Sequence, residues 1–183
     1  MRSASTIAAF ACILAAPIHA QESGPFDDYD AGRFEQAITG AEEALETDGQ
    51  NPVLWALLAE AKAKLGANEE AAQAFARAAQ YASDIDARSY YMRAQAFQLV
   101  EVERHADART VVSAALAEPS LTGVDTLDWA MVAIAAKDDA AAQQLLNDES
   151  VYQEFTRQTA LDAAYSAKRQ GLDKRAVRFF ERG

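Results

Sequence analysis

A beat of about 34 residues runs along this chain and constrains its fold more than any other feature. Gly32, Gly66, Glu103, Lys137 and Gly171 follow one another at steps of 34, 37, 34 and 34. Five residues after each stands an alanine: Ala37, Ala71, Ala108, Ala142 and Ala176. Nine residues after each the side chain is apolar: Ala41, Phe75, Val112, Leu146 and Phe180. Seven residues before four of them stand Ala59, Ala96, Ala130 and Ala164, with only Pro25 breaking that column. Alanine is common in this chain, so a single match carries little; the recurrence carries the argument. A period of this length is one helix–turn–helix per unit, and such units bury their apolar faces by stacking on one another. A glycine just past a helix end accepts the left-handed backbone that closes the helix. Alanines seven before and five after it let the two helices of a unit approach closely.

Local signals frame the same helices. Asn51-Pro52 is a cap residue before a first-turn proline. Asn68-Glu69-Glu70 reads as a cap followed by acidic first-turn residues, and Asp107 and Asp173 can open helices in the same way. The segment EPSLTGVD, residues 118–125, is the clearest interhelix loop, and YASDIDARS, residues 81–89, holds the three-residue excess of the longer step. Glu103 and Lys137 stand where glycine is expected, at a cost of about 1 kcal/mol if the backbone there is left-handed. Their turns are therefore expected to differ in shape from those at Gly32 and Gly66.

The second unit carries Trp55, Leu58, Ala59, Gly66, Ala71, Phe75 and Ala78. In this the chain resembles the tetratricopeptide-repeat (TPR) family, over nearly all of residues 26–183. The resemblance departs at the family's closing proline, whose place is held by Gly49 and Ser83 in the first two units. It implies an all-α, right-handed α-solenoid of four to five units, and a concave groove lined by the first helix of each. The family pattern puts Val53, Ala56, Glu60, Ala63 and Lys64 of unit two on that groove. Unit three contributes Tyr90, Arg93, Phe97, Val100 and Glu101, and unit four Leu127, Met131, Ile134 and Ala135. Unit five contributes Leu161, Tyr165, Lys168 and Arg169. The family's clamp for a peptide carboxylate needs Lys and Asn at the fifth and ninth places of a unit. Here those places hold Ala56/Glu60, Arg93/Phe97, Leu127/Met131 and Leu161/Tyr165, so that specificity does not carry over. The expected partner-binding residues are Tyr90, Arg93, Phe97, Met131, Tyr165, Lys168 and Arg169: an apolar and aromatic groove with a basic edge.

The head of the chain reads as a secretory signal. Arg2 precedes an apolar run from Ile7 to Ala16, then Pro17 and the small Ala20, after which cleavage is expected. The run is half the length that spans a bilayer, roughly 20 residues. Cys12 lies within the apolar run, not after it, which argues against a lipid-modified cysteine. The division is thus a signal peptide over 1–20 and a repeat domain over 21–183, with a periplasmic or exported location and no transmembrane segment after processing. Loss of Arg2 takes the formal charge from −11 to −12 and removes the single cysteine. A chain of the remaining length buries a core without disulfides. Its acidity disfavours nucleic acid and anionic membranes.

Catalytic chemistry finds no footing in these residues. The processed chain would hold one histidine, His105, just past a turn, where a surface or helix-start place is expected, and no cysteine. DDYDAGRFE, residues 27–35, has the wrong glycine spacing for a calcium loop and Thr39 where a bidentate glutamate belongs; it reads as a solvated acidic turn. Neighbouring acids such as Glu42-Glu43, Glu69-Glu70 and Asp138-Asp139 point away from each other on a helix. No phosphate loop or nucleophile elbow is present, so no enzyme, cofactor or metal is expected. The expectation is a scaffold or adaptor for a protein or peptide partner in the bacterial cell envelope. The alternative is a self-associating or capping subunit of an outer-membrane, secretion or polysaccharide-export complex, docking through Phe179 and Phe180 at the C-terminal end. Residues 163–183 also resemble, more weakly, TPR stretches of outer-membrane proteins for surface polysaccharide or phage adsorption.

Overall fold

The structure, a computed structural model, describes residues 24–118, 120–121 and 125–146. Among them are eight α-helices and no strand: α1 (Pro25–Asp30), α2 (Phe34–Thr47), α3 (Pro52–Lys64), α4 (Asn68–Tyr81), α5 (Ile85–Glu101), α6 (His105–Leu116), α7 (Thr126–Ala135) and α8 (Asp139–Leu146). They form four helix pairs, α1/α2 to α7/α8, each packed on its neighbours along the chain, with α5 also against α7. This is the stacked α-solenoid the beat implies. The expected signal peptide and the fifth unit, with Gly171, Ala176 and Phe180, lie outside the described residues.

The four tight turns sit on the beat and share one geometry. Gly32, Gly66, Glu103 and Lys137 all have left-handed backbone, with φ of 73, 78, 59 and 58°. In each, the turn residue's N–H reaches back three positions and the next N–H reaches back five. The second set of bonds is Arg33 to Asp28, Ala67 to Lys62, Arg104 to Leu99 and Asp138 to Ala133, at 2.8 to 2.9 Å. That pair of bonds satisfies carbonyls the helix end leaves open. The expectation that the Glu103 and Lys137 turns differ in shape is therefore corrected. Closing the helix takes precedence over side-chain preference, since about 1 kcal/mol of strain is smaller than two buried carbonyls left unpaired at about 1–3 kcal/mol each.

Small side chains do the stacking. The alanines five after the turns, Ala37, Ala71, Ala108 and Ala142, are fully buried, as are Ala59, Ala96 and Ala130 seven before. Phe75 and Val112 fill the spaces beside them, and one continuous apolar cluster runs from Ala41 to Leu145. Ion pairs such as Lys62 with Glu42 of the preceding unit at 3.4 Å and with Glu70 of its own unit at 3.0 Å, or Arg104 with Glu69 at 2.7 Å, have at least one solvent-exposed partner. At about 0–1 kcal/mol each they are secondary to that burial.

Asn51 caps α3, its side chain accepting from the N–H groups of Val53 and Leu54 at 3.0 and 3.2 Å. Asn68 does not cap α4. It is the first helical residue, Ala67 is the cap, and no side chain bonds there, because the tight turn already fixes where the next helix begins. The three extra residues of the longer step are absorbed as helix: Asp84 accepts from Ala87 N–H at 2.8 Å and α5 runs 17 residues. Between units three and four, the fully buried Trp129 donates from Nε1 to Ser89 Oγ at 3.0 Å and to the Leu121 carbonyl at 3.1 Å. Ser89 donates to the same carbonyl at 2.9 Å. Three buried polar groups are thus satisfied together, tying α5 to α7.

Candidate functional site

The first helices of all four described pairs face one cleft. It has a volume of about 570 Å³ and is lined by Tyr29 of α1, Glu60, Ala63 and Lys64 of α3, Tyr90, Arg93, Ala94, Phe97 and Gln98 of α5, and Asp128 and Met131 of α7, with Phe75 of α4 behind. The repeat explains the convergence. Glu60, Phe97 and Met131 each lie six residues before their turn, and Ala94 and Asp128 each lie nine before. Equal offsets from equal turns put these side chains on the same face of successive helices.

Of the residues expected to bind a partner, Tyr90, Arg93, Phe97 and Met131 come together in this cleft. Tyr165, Lys168 and Arg169, with Phe179 and Phe180, lie outside the described residues. Tyr90 and Phe97 are among the most exposed large apolar side chains described, at 45% and 37%. Three other groove assignments do not hold: Ala56 of α3 and Ile134 and Ala135 of α7 are buried in the stack, at 6%, 1% and 4%.

Of the expected basic edge, Arg93 is the one member among the described residues, and it is not a free cation. Its guanidinium lies against Asp125, at 2.7 Å, and Asp128, and its side chain is only 10% exposed. A cation held by two carboxylates offers little positive field to an incoming group. Asp128 was not foreseen because it lies 35 residues from Arg93, one turn of the stack away. The signal available was an opposite charge about one period downstream. Tyr29 was missed because no groove positions were assigned to unit one, although it matches Ala63 in register.

Glu60 organises the other wall. Tyr90 Oη donates to Glu60 Oε1 at 3.0 Å. Burial, then the Glu60 charge and this hydrogen bond, push the Tyr90 hydroxyl up to about 12. Burial and Glu60 likewise raise Tyr29. Both phenols therefore stay neutral donors at neutral pH.

The remaining candidates are structural. Residues 27–35 span the end of α1, the Gly32 turn and the start of α2; Asp27 and Asp30 are exposed, but Asp28 is buried and takes two bonds from Arg33, at 2.9 and 2.6 Å. No group of His, Cys, Asp and Glu able to hold a metal ion occurs among the described residues. His105 opens α6, as expected. No described helix is long and apolar enough to cross a membrane.

Compared with known families, residues 28–96 match the family model of the tetratricopeptide repeat. No curated protein matches the chain.

Proposed function

We propose that the chain is a non-enzymatic scaffold holding a segment of a partner protein in the cleft between α1, α3, α5 and α7; residues 28–96 match the tetratricopeptide-repeat family model, and such repeats generally mediate contacts between proteins. One observation carries this reading: Tyr90 and Phe97 stand exposed over a cleft to which four successive units contribute. Large apolar side chains left in water in a concave site are the usual anchor points of an interface. The basic start, short apolar run and Ala20 of the sequence support an exported, periplasmic place of action in the cell envelope.

A photo-crosslinking residue at position 97, compared with one at Arg77 on the exposed side of α4, tests the site in the producing cell. A discrete protein adduct from position 97 and none from position 77 is expected. Equal labelling from both, or none, would remove the cleft from consideration. Light scattering distinguishes the self-associating alternative through Phe179 and Phe180, because a monomer at working concentration rules it out. Mass spectrometry of the chain recovered from the periplasm, with Gln21 expected first, tests the exported location.

A further inference from the structure

We infer that the segment held in the cleft is basic, with lysine or arginine beside an apolar or aromatic side chain, and that the cleft discriminates against acidic segments. This rests on the cleft being the partner site. It goes beyond that reading by fixing the sign of the partner's charge, which the sequence alone would have set the other way.

The argument is one of which charges a partner would meet. Arg93 is the central cation of the cleft, but its side chain is 10% exposed and clasped by Asp125 and Asp128. Asp128 itself is 57% exposed, so the face this cluster offers to a partner is a carboxylate. The cluster holds two acids to one base and keeps a net negative charge. Across the cleft Glu60 is fixed by the Tyr90 hydroxyl at 3.0 Å and cannot swing away from an incoming group without losing that bond. Among the described residues Lys64 is the other cation of the lining, and it sits at the exposed C-terminal end of α3, on a flexible stem. A long, exposed side chain of that kind moves aside at small cost.

The apolar part of the lining agrees. The faces of Tyr90 and Phe97 attract ammonium and guanidinium groups as well as hydrocarbon, and Ala63, Ala94 and Met131 add apolar surface to the lining. A lysine or arginine whose stem lies on the aromatics and whose head reaches Glu60 or Asp128 uses both features at once. An acidic segment would bring a carboxylate toward Glu60 and Asp128, where the described residues offer Arg93 only in its clasp of two carboxylates. The formal charge of −11 on the whole chain acts in the same direction at longer range.

The test uses the purified chain and short fluorescein-labelled peptides that share one leucine and phenylalanine frame, with lysine, serine or glutamate at the intervening positions. Anisotropy titrations should rank them lysine, serine, glutamate, with about tenfold between the first two, or about 1.4 kcal/mol. The lysine peptide should lose most of its advantage at high ionic strength. Glu60→Gln keeps an acceptor for Tyr90; it should weaken the lysine peptide roughly three- to tenfold and the serine peptide by clearly less. Phe97→Ala should weaken both. Equal binding of the lysine and serine peptides, or tighter binding of the glutamate peptide, overturns the inference while leaving the cleft as the site. Failure of all three to bind, or indifference to Phe97→Ala, overturns the inference together with the site.

Discussion

Gly66 and Glu103 occupy equivalent turns with φ of 78 and 59°, and exchanging their residue types should move stability in opposite directions. A Cβ added at Gly66 would meet nothing within 4 Å, so Gly66→Ala introduces no clash and the whole effect is conformational. Left-handed backbone costs an L-residue about 1–2 kcal/mol. Alanine recovers about 0.4–1 kcal/mol by restricting the unfolded chain. The net expectation is a loss of about 1 kcal/mol. Glu103→Gly reverses both terms: the strain is relieved, the unfolded chain gains freedom, and the exposed side chain takes no packing with it. A gain of about 0.5–1 kcal/mol follows. Urea unfolding followed by far-ultraviolet circular dichroism reads both. With a slope of roughly 2 kcal/mol/M, the midpoint should fall by about 0.5 M for Gly66→Ala and rise by about 0.3 to 0.5 M for Glu103→Gly. The double variant should return near the starting midpoint, since the two turns share no partner. Shifts of the same sign, or no shift in either variant, would refute the claim that left-handed strain at the turns is what these positions control.

Other expectations rest on single contacts. Ser89→Ala should cost only about 1 kcal/mol, because Trp129 Nε1 keeps the Leu121 carbonyl, whereas Trp129→Ala should cost about 3–5 kcal/mol through the cavity it opens; the same urea titration reads both. Asn51→Ala should cost about 1 kcal/mol by uncapping α3, seen as a melting point lowered by about 2–4 °C. The Tyr90 hydroxyl, raised to about 12 from an ordinary 10.0, holds its proton more tightly folded than unfolded. Its contribution to stability is therefore complete below pH 10 and is lost as pH rises toward 12. Tyr90→Phe should flatten that decline in alkaline unfolding curves and remove one late-titrating phenol from the 295 nm absorbance.

The chain's organisation was legible because the repeat makes many weak signals agree. Each alanine on the beat says little alone, yet Ala59, Ala71, Ala96, Ala108 and Ala130 are all fully buried, since the same helix pairing recurs at the same offset. Phe97 and Met131 were placed on one face by the same logic. The cap expected at Asn51 forms and the one expected at Asn68 does not: a proline follows Asn51 and fixes the start of α3, while the tight turn at Gly66 overrides the local preference of Asn68.

Charge followed no such rule. Arg93 looked like a basic edge, and Asp28 like part of a solvated turn. Their partners, Asp125 and Asp128 in one case and Arg33 in the other, were chosen by the approach of neighbouring helices. The sequence by itself determined the period, the turn positions and the small-residue seams, because these depend on backbone geometry and side-chain volume that each unit repeats. The tertiary structure alone decided which charges of the cleft are paired and which are left to face a partner. A long charged side chain reaches across helices as readily as along its own, and its surroundings depend on residues a full unit away.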